Sequence, residues 1–251
     1  MQNTNGGLCR FSIPLIVVLA AACGGGSSEA PAPAPVVNPV DPEIVGVISG
    51  RIAFDGNAPA PTPIKTSSDP NCAGTPMTES LLVNASGGLQ NVFVYVKDGL
   101  GNRVFPVPTT PVVLDQKGCT YVPHVFGAQV GQPIEIVSSD PTLHNVHAQA
   151  RANQEFNRGF PQQGMKMTHT FTTKEVLVPI KCDVHGWMRS YAGIVDHPFF
   201  AVSATDGSFA LQGVPPGTYT IEAVHETLGA QAQSVTVGEK ETKEIAFSFK
   251  Q

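Results

Sequence analysis

The feature that most constrains the fold of this 251-residue chain is a short segment, Val176-Leu-Val-Pro-Ile-Lys-Cys182. Val176, Val178, Ile180 and Cys182 share one parity, so in a strand they project from one face. That face is apolar and is expected to look inward, which delivers a thiol on the buried side at the strand's end. Beyond the N-terminal apolar run no stretch carries a convincing helical period. Apolar runs are short, and glycine (25) and proline (22) are abundant. Together these patterns predict an all-β chain with many turns.

The loop after this strand is chemically dense. In Cys182-Asp-Val-His185-Gly-Trp-Met188 a thiol, an imidazole and a thioether lie close together, and Leu143-His144-Asn-Val-His147 adds imidazoles upstream. Two histidines, one thiolate and one weak axial thioether are the donors of a mononuclear blue-copper centre. Soft sulfur favours the cuprous ion and imidazole supports the cupric ion. A rigid β framework that compromises between them lets an electron move with little rearrangement.

Cys-x2-His-x2-Met after an inward strand, with His-Asn-Val-His before it, resembles the small cupredoxins of the amicyanin and plastocyanin type. The resemblance covers residues 111–196 and includes Val-Gly-Gln-Pro-Ile-Glu-Ile from Val130 to Ile136. It implies a Greek-key β-sandwich holding one type 1 copper through His144, Cys182, His185 and Met188. In that family the first histidine of the upstream motif is the ligand, which selects His144 over His147. It also implies that Asn145 ties the two ligand loops together. Asp183 stands where the family often has Thr or Ser, and Gly186 where proline is common. His124, His147, His169, His197 and His225 are expected at the surface or in the core. Met165 and Met167 are expected to pack, and Trp187 to shield the site, dock a partner or pack. Cys182 is not flanked by histidines, as a multicopper oxidase would require, and no second cysteine stands near it for a binuclear site. The chemistry expected is therefore one-electron transfer or copper holding rather than catalysis.

The five cysteines fit this assignment. Arg10, the apolar run Phe11 to Ala22 and the small residues before Cys23 look like an export leader, too short to span a bilayer. Leu19-Ala-Ala-Ala-Cys23 resembles a lipobox, which would make Cys23 the lipidated first residue; an ordinary cleaved leader is the alternative. Residues 23–43 then read as a Gly/Ser/Pro-rich tether. The expected location is outside the cytoplasm, lipid-anchored to the outer membrane or to a periplasm-facing membrane. In an oxidising compartment Cys72 and Cys119 are able to pair, which leaves Cys182 for a metal. The net charge of −5, without a basic patch, argues against nucleic acid as a partner.

The remaining sequence has another texture. Asp206-Gly207 between alternating segments signals a hairpin, Pro215-Pro216-Gly217 a turn, and Ile245 to Phe249 alternates as a strand. This part resembles the carboxypeptidase regulatory-like domain, a small prealbumin-like β-sandwich grouped with carbohydrate-binding folds and carrying no peptidase residues. Its usual opening strand is matched far upstream, by Gly46 to Gly56, and Asn91 to Val96 reads as a further strand. A split sandwich, 44–110 with 197–251, is therefore expected, with residues 111–196 inserted in it; two consecutive domains are the alternative. Three functions stay open: an electron carrier with a redox partner protein, a copper-storage or delivery lipoprotein, and a carbohydrate-binding or adhesion module with a structural cupredoxin. Metal release at low pH is expected, since thiolate and imidazole must shed protons to bind. An exposed His185 would make the reduced form release first.

Overall fold

The computed structural model describes residues 36–37 and 40–251, except residue 73. The leader, the lipidation position Cys23 and most of the proline-rich tether lie outside the described residues. All regular structure among those described is β, and none of it is a helix long and apolar enough to cross a membrane. Four strands precede the copper-motif region: β1 (Val36–Val37), β2 (Gly46–Phe54), β3 (Phe93–Asp98) and β4 (Arg103–Val104), of which β1 and β4 pair in parallel.

Residues 112–195 build one sandwich. Its strands are β5 (Val112–Lys117), β6 (Thr120–Val122), β7 (Val125–Gln129), β8 (Ile134–Ser138), β9 (His144–Ala148), β10 (Phe156–Phe160), β11 (Lys166–His169), β12 (Glu175–Lys181) and β13 (Arg189–Val195). One sheet runs β11-β8-β5-β6 and the other β10-β9-β12-β13-β7. The pairs β5/β8 and β7/β13 are parallel and the others antiparallel. Leu114 and Ile136 from one sheet meet Val146, Val178, Ile180 and Ile194 from the other in a single buried cluster. Strand alternation puts them there, because every second residue faces the opposite sheet.

A second sandwich draws strands from both sides of the first. It adds β14 (Phe200–Val202), β15 (Ser208–Val214), β16 (Gly217–His225), β17 (Gly229–Val237) and β18 (Thr242–Phe249). Its sheets are β14-β3-β16-β17 and β15-β2-β18. β18 lies parallel to β2 from Thr242↔Val47 to Phe249↔Phe54. Only glycine fits midway along this pair, since a Cβ at Gly50 would stand 1.9 Å from the Ile245 carbonyl oxygen.

β3 binds the two sandwiches together. Val94 and Val96 enter the core of the second sandwich, whereas Phe93 and Tyr95 join Val125 and Val195 of the first. Both faces being covered, the strand reads as a continuous apolar run instead of an alternation. Phe93 lies against backbone: a Cβ at Gly193 would come within 2.4 Å of its ring, and one at Gly127 within 2.3 Å of the Phe200 ring.

Two sequence expectations need correction. The Asp206-Gly207 turn does not close a hairpin. β14 pairs with β3 and β15 with β2, so the turn carries the chain from one sheet to the other. Gly207 there has φ +81°, and its carbonyl accepts the Ile52 N–H. Val176, expected to share the inward face with Val178, does not reach that core. The register shifts between Glu175 and Val178, and Leu177 takes a φ of 54°. Val176 and Leu177 both turn to the cluster between the sandwiches.

A buried ion pair crosses the same interface. His124, one residue before β7, bonds through Nε2 to Glu226, one residue after β16, and its Nδ1 lies 3.7 Å from Glu79. Burial pushes the imidazole toward neutrality, but the Glu226 carboxylate, helped by Glu79, outweighs it and raises the proton affinity above the ordinary value. A raised folded-state pKa stabilises the fold below the unfolded value of about 6.5, and that contribution is lost as pH rises through the folded value. His144, His169, His197 and His225 have lowered proton affinities and act in the opposite direction, so the pair is read from the difference between wild type and Glu226→Gln. In denaturant unfolding at a series of pH values the variant is expected to lose about 2 kcal/mol at the acid end, with the difference shrinking as pH rises above ~6.5 and through the folded value. A difference that does not shrink with rising pH would contradict the pair's role.

Candidate metal centre

Two neighbouring strands bring the site together. His144 opens β9, Cys182 directly follows β12, and the pairing of Lys181 with His147 sets these positions side by side. The loop after Cys182 folds tightly back: the Met188 N–H donates to the His185 carbonyl at 2.9 Å, and the Cys182 N–H to the Met188 carbonyl at 3.4 Å. The His185 N–H points at the Cys182 Sγ at 3.3 Å. Asn145 links the two segments. Its Oδ1 accepts the Asp183 N–H at 2.7 Å and the Val184 N–H at 3.3 Å, and lies 3.3 Å from the Cys182 Sγ. Its own carbonyl accepts the Tyr121 hydroxyl at 2.5 Å.

The donors converge. Each of His144, Cys182 and His185 offers one ligand atom, and these atoms lie within 4.8 Å of one another. The two Nδ1 atoms are 3.0 Å apart, and the Cys182 Sγ is 4.0 Å from the His185 Nδ1. Two bonds of roughly 2.0–2.3 Å to one ion can span both separations. All three residues are closed to solvent, at 0%, 1% and 2% exposure. Met188 is equally buried and belongs to the same core cluster as Cys182. Burial pushes the His144 imidazole toward its neutral, ligating form, though Asp140 opposes this. Among the described residues Cys182 is the one cysteine outside a disulfide, while Cys72 and Cys119 are joined to each other.

The outer edges of both imidazoles meet carboxylates that the motif does not contain. His144 Nε2 lies 2.9 Å from Asp140 Oδ2, and His185 Nε2 lies 3.1 Å from Asp69 Oδ2. Asp140 also accepts the N–H groups of Gly118 and Cys119 at 2.7 and 2.8 Å. Asp69 accepts the Thr142 hydroxyl at 2.5 Å and the Asn71 N–H at 2.8 Å. These bonds, the Thr142 one foremost, lower its pKa to about 2. Cys72 Sγ stands 3.8 Å from His185 Nε2, so the disulfide lies against the same edge. Trp187 covers another side, with its ring centroid 5.0 Å from that of His185 and its indole N–H donating to the Cys119 carbonyl at 2.9 Å.

The expected exposure of His185 is therefore corrected: the turn carrying Asp69 and Cys72 sits over it. Neither carboxylate stands out in the sequence. Asp140 precedes His144 by four residues, and Asp69 shares a turn in which only Cys72 draws notice.

His147 takes no part in the cluster. Its Nδ1 lies 3.0 Å from Asp183, and its Nε2 bonds to Glu155 at 2.5 Å. Asp183 is held ionised, its pKa lowered to about 2 by Lys181 first, then by Asn157 and His147. Behind the ligand loop a cavity of about 230 Å³ is lined by Met77, His124, Trp187, Met188 and Glu226 among others.

No protein-family model and no curated protein matches the chain. Among solved structures it is similar to a Cu-containing nitrite reductase from Thermus scotoductus SA-01, at 19% identity and a TM-score of 0.33 over 35% of this chain and 23% of that one. The chain thus matches less than a quarter of that protein's length. It is also similar to an amicyanin variant in the Cu(I) state, at 21% identity and a TM-score of 0.31 over 35% of this chain and 85% of that one. A purple cupredoxin from Nitrosopumilus maritimus matches at 16% identity and a TM-score of 0.29, over 33% of this chain and 98% of that one. Each likeness covers about a third of the chain, so the functional reading stands on the donor geometry itself.

Proposed function

We propose that the chain binds one copper ion, type 1 in character, through His144, Cys182 and His185 with Met188 as weak axial donor, and that it carries single electrons to and from a redox partner protein. The observation that carries this reading is the convergence of one thiol and two Nδ1 atoms in a pocket closed to water. Copper, when bound, supplies the one-electron chemistry. The chain's own residues hold the donors in place: Asn145 braces both loops, Asp140 and Asp69 fix the outer nitrogens, and Trp187 shuts out solvent.

Titrating the full chain with cupric ion is expected to give an intense visible band that saturates at one equivalent and bleaches reversibly on reduction. His147→Ala should keep the band. A colourless protein, or saturation at two equivalents, would overturn the reading.

The covered edge of His185 favours a second reading, copper holding and delivery, because electron carriers need a route to the surface. Rapid, fully reversible reduction by a small electron donor supports transfer; slow reduction with copper passing to a chelating partner supports holding. The leader motif and Cys23 support export and lipid anchoring, with the folded part facing the periplasm. For the second sandwich, the turn and strand patterns of its sequence support a prealbumin-like kinship, and carbohydrate binding follows from that fold analogy.

A further inference from the structure

Asp69 belongs to the segment between β2 and β3, outside the sandwich that carries the donors, yet it touches both ligand loops. Its Oδ2 accepts the hydroxyl of Thr142, two residues before His144, and lies 3.1 Å from His185 Nε2 on the other loop. Its Oδ1 is occupied by the Asn71 N–H. The turn around it is itself fastened: the Cys72 N–H donates to the Asp69 carbonyl at 3.1 Å, the Thr66 hydroxyl donates to the Cys72 carbonyl at 3.2 Å, and the disulfide ties Cys72 to Cys119. Cys119 also donates its N–H to Asp140, the carboxylate behind His144.

We propose that Asp69 is a positioning residue of the copper centre, holding the His185 ring in one orientation and biasing the bound metal toward the cupric state. The proposal rests on the copper reading above. With Nδ1 turned to the metal position, His185 has one proton left, on Nε2, and the carboxylate takes it as a hydrogen bond. That bond selects the tautomer and strengthens the ring as a donor. Rotation of the ring away from the metal would break it. Asp69 is partly exposed, with its side chain at 16% exposure, but its charge stands against a pocket closed to water, and a nearby negative charge stabilises the ion of higher charge more than the ion of lower charge. Asp69 therefore opposes reduction and slows loss of copper from the reduced protein.

The test is Asp69→Asn in the full chain, which keeps the shape and removes the charge, with Asp69→Glu as the conservative variant. In Asp69→Asn the visible band should persist, the reduction potential should move to a more positive value, and cuprous ion should be lost to a chelator roughly 10-fold faster. Asp69→Glu should restore part of both effects. Should Asp69→Asn fail to fold, Thr142→Val, which removes the hydroxyl steadying the carboxylate, is expected to shift the potential in the same direction. Copper bound at wild-type potential and wild-type release rate in the folded variants, with only thermal stability lowered, would overturn this proposal alone. A wild-type chain that takes up no copper would overturn the copper reading and this proposal with it.

Discussion

The Cys182→Ala chain, mixed with cupric ion, is expected to show none of the intense visible absorption of the wild type. The effect is large because one atom is responsible. A thiolate bound to the cupric ion is the sole source of a strong charge-transfer band in this donor set. Among the described residues no other sulfur can stand in for it: Cys72 and Cys119 are bonded to each other, and a thioether is a weak donor. His144 and His185 remain, so any copper retained should be pale and weakly held. Truncating a fully buried thiol to a methyl group should cost about 1 kcal/mol of stability, leaving a folded protein to measure. Absorption spectra at equal copper loading check this. An undiminished band in the variant would place the copper elsewhere in the chain.

The second large effect concerns the joint between the sandwiches. Gly193→Ala puts a methyl group within 2.4 Å of the Phe93 ring, which is fully buried and has nowhere to retreat. Overpacking of this kind costs about 1–3 kcal/mol. In a chain of this size about 2 kcal/mol corresponds to a melting temperature lower by roughly 4–8 °C. Phe93→Leu, destabilising by itself, should recover part of the loss when combined with Gly193→Ala, since the smaller side chain vacates the space. Thermal melts of the two single variants and the double variant give the coupling, expected at about 1 kcal/mol or more. Simple additivity would show that the two residues do not meet.

The limits of what the sequence reveals come from the physics of each element. The all-β class was legible in short apolar runs and frequent turn residues. The burial of Val178, Ile180 and Cys182 was legible too, because a two-residue period encodes a face directly. The period misleads at Val176, where a bulge changes parity and leaves no composition signal. Asp206-Gly207 announced a tight turn correctly but not its use, since the same turn chemistry serves a hairpin or a crossing between sheets. In the site, Cys182 and His185 are marked by their spacing and His144 by the resemblance that selects it over His147, and the three converge in the structure. Asp69 was hidden because nothing local distinguishes a carboxylate that will meet an imidazole 116 residues away from one that faces water, and Asp140, only four residues before His144, lies in a turn where a carboxylate is ordinary. His185 looked exposed for the same reason: its cover comes from a segment whose place in space only the folded chain defines.

X-ray absorption at the copper edge of the cupric-loaded full chain bears on the donor set without intermediaries. One short copper–sulfur bond accompanied by two imidazole nitrogens is expected, with the short sulfur contribution gone in Cys182→Ala. A first coordination sphere made of nitrogen and oxygen alone would refute copper binding at Cys182.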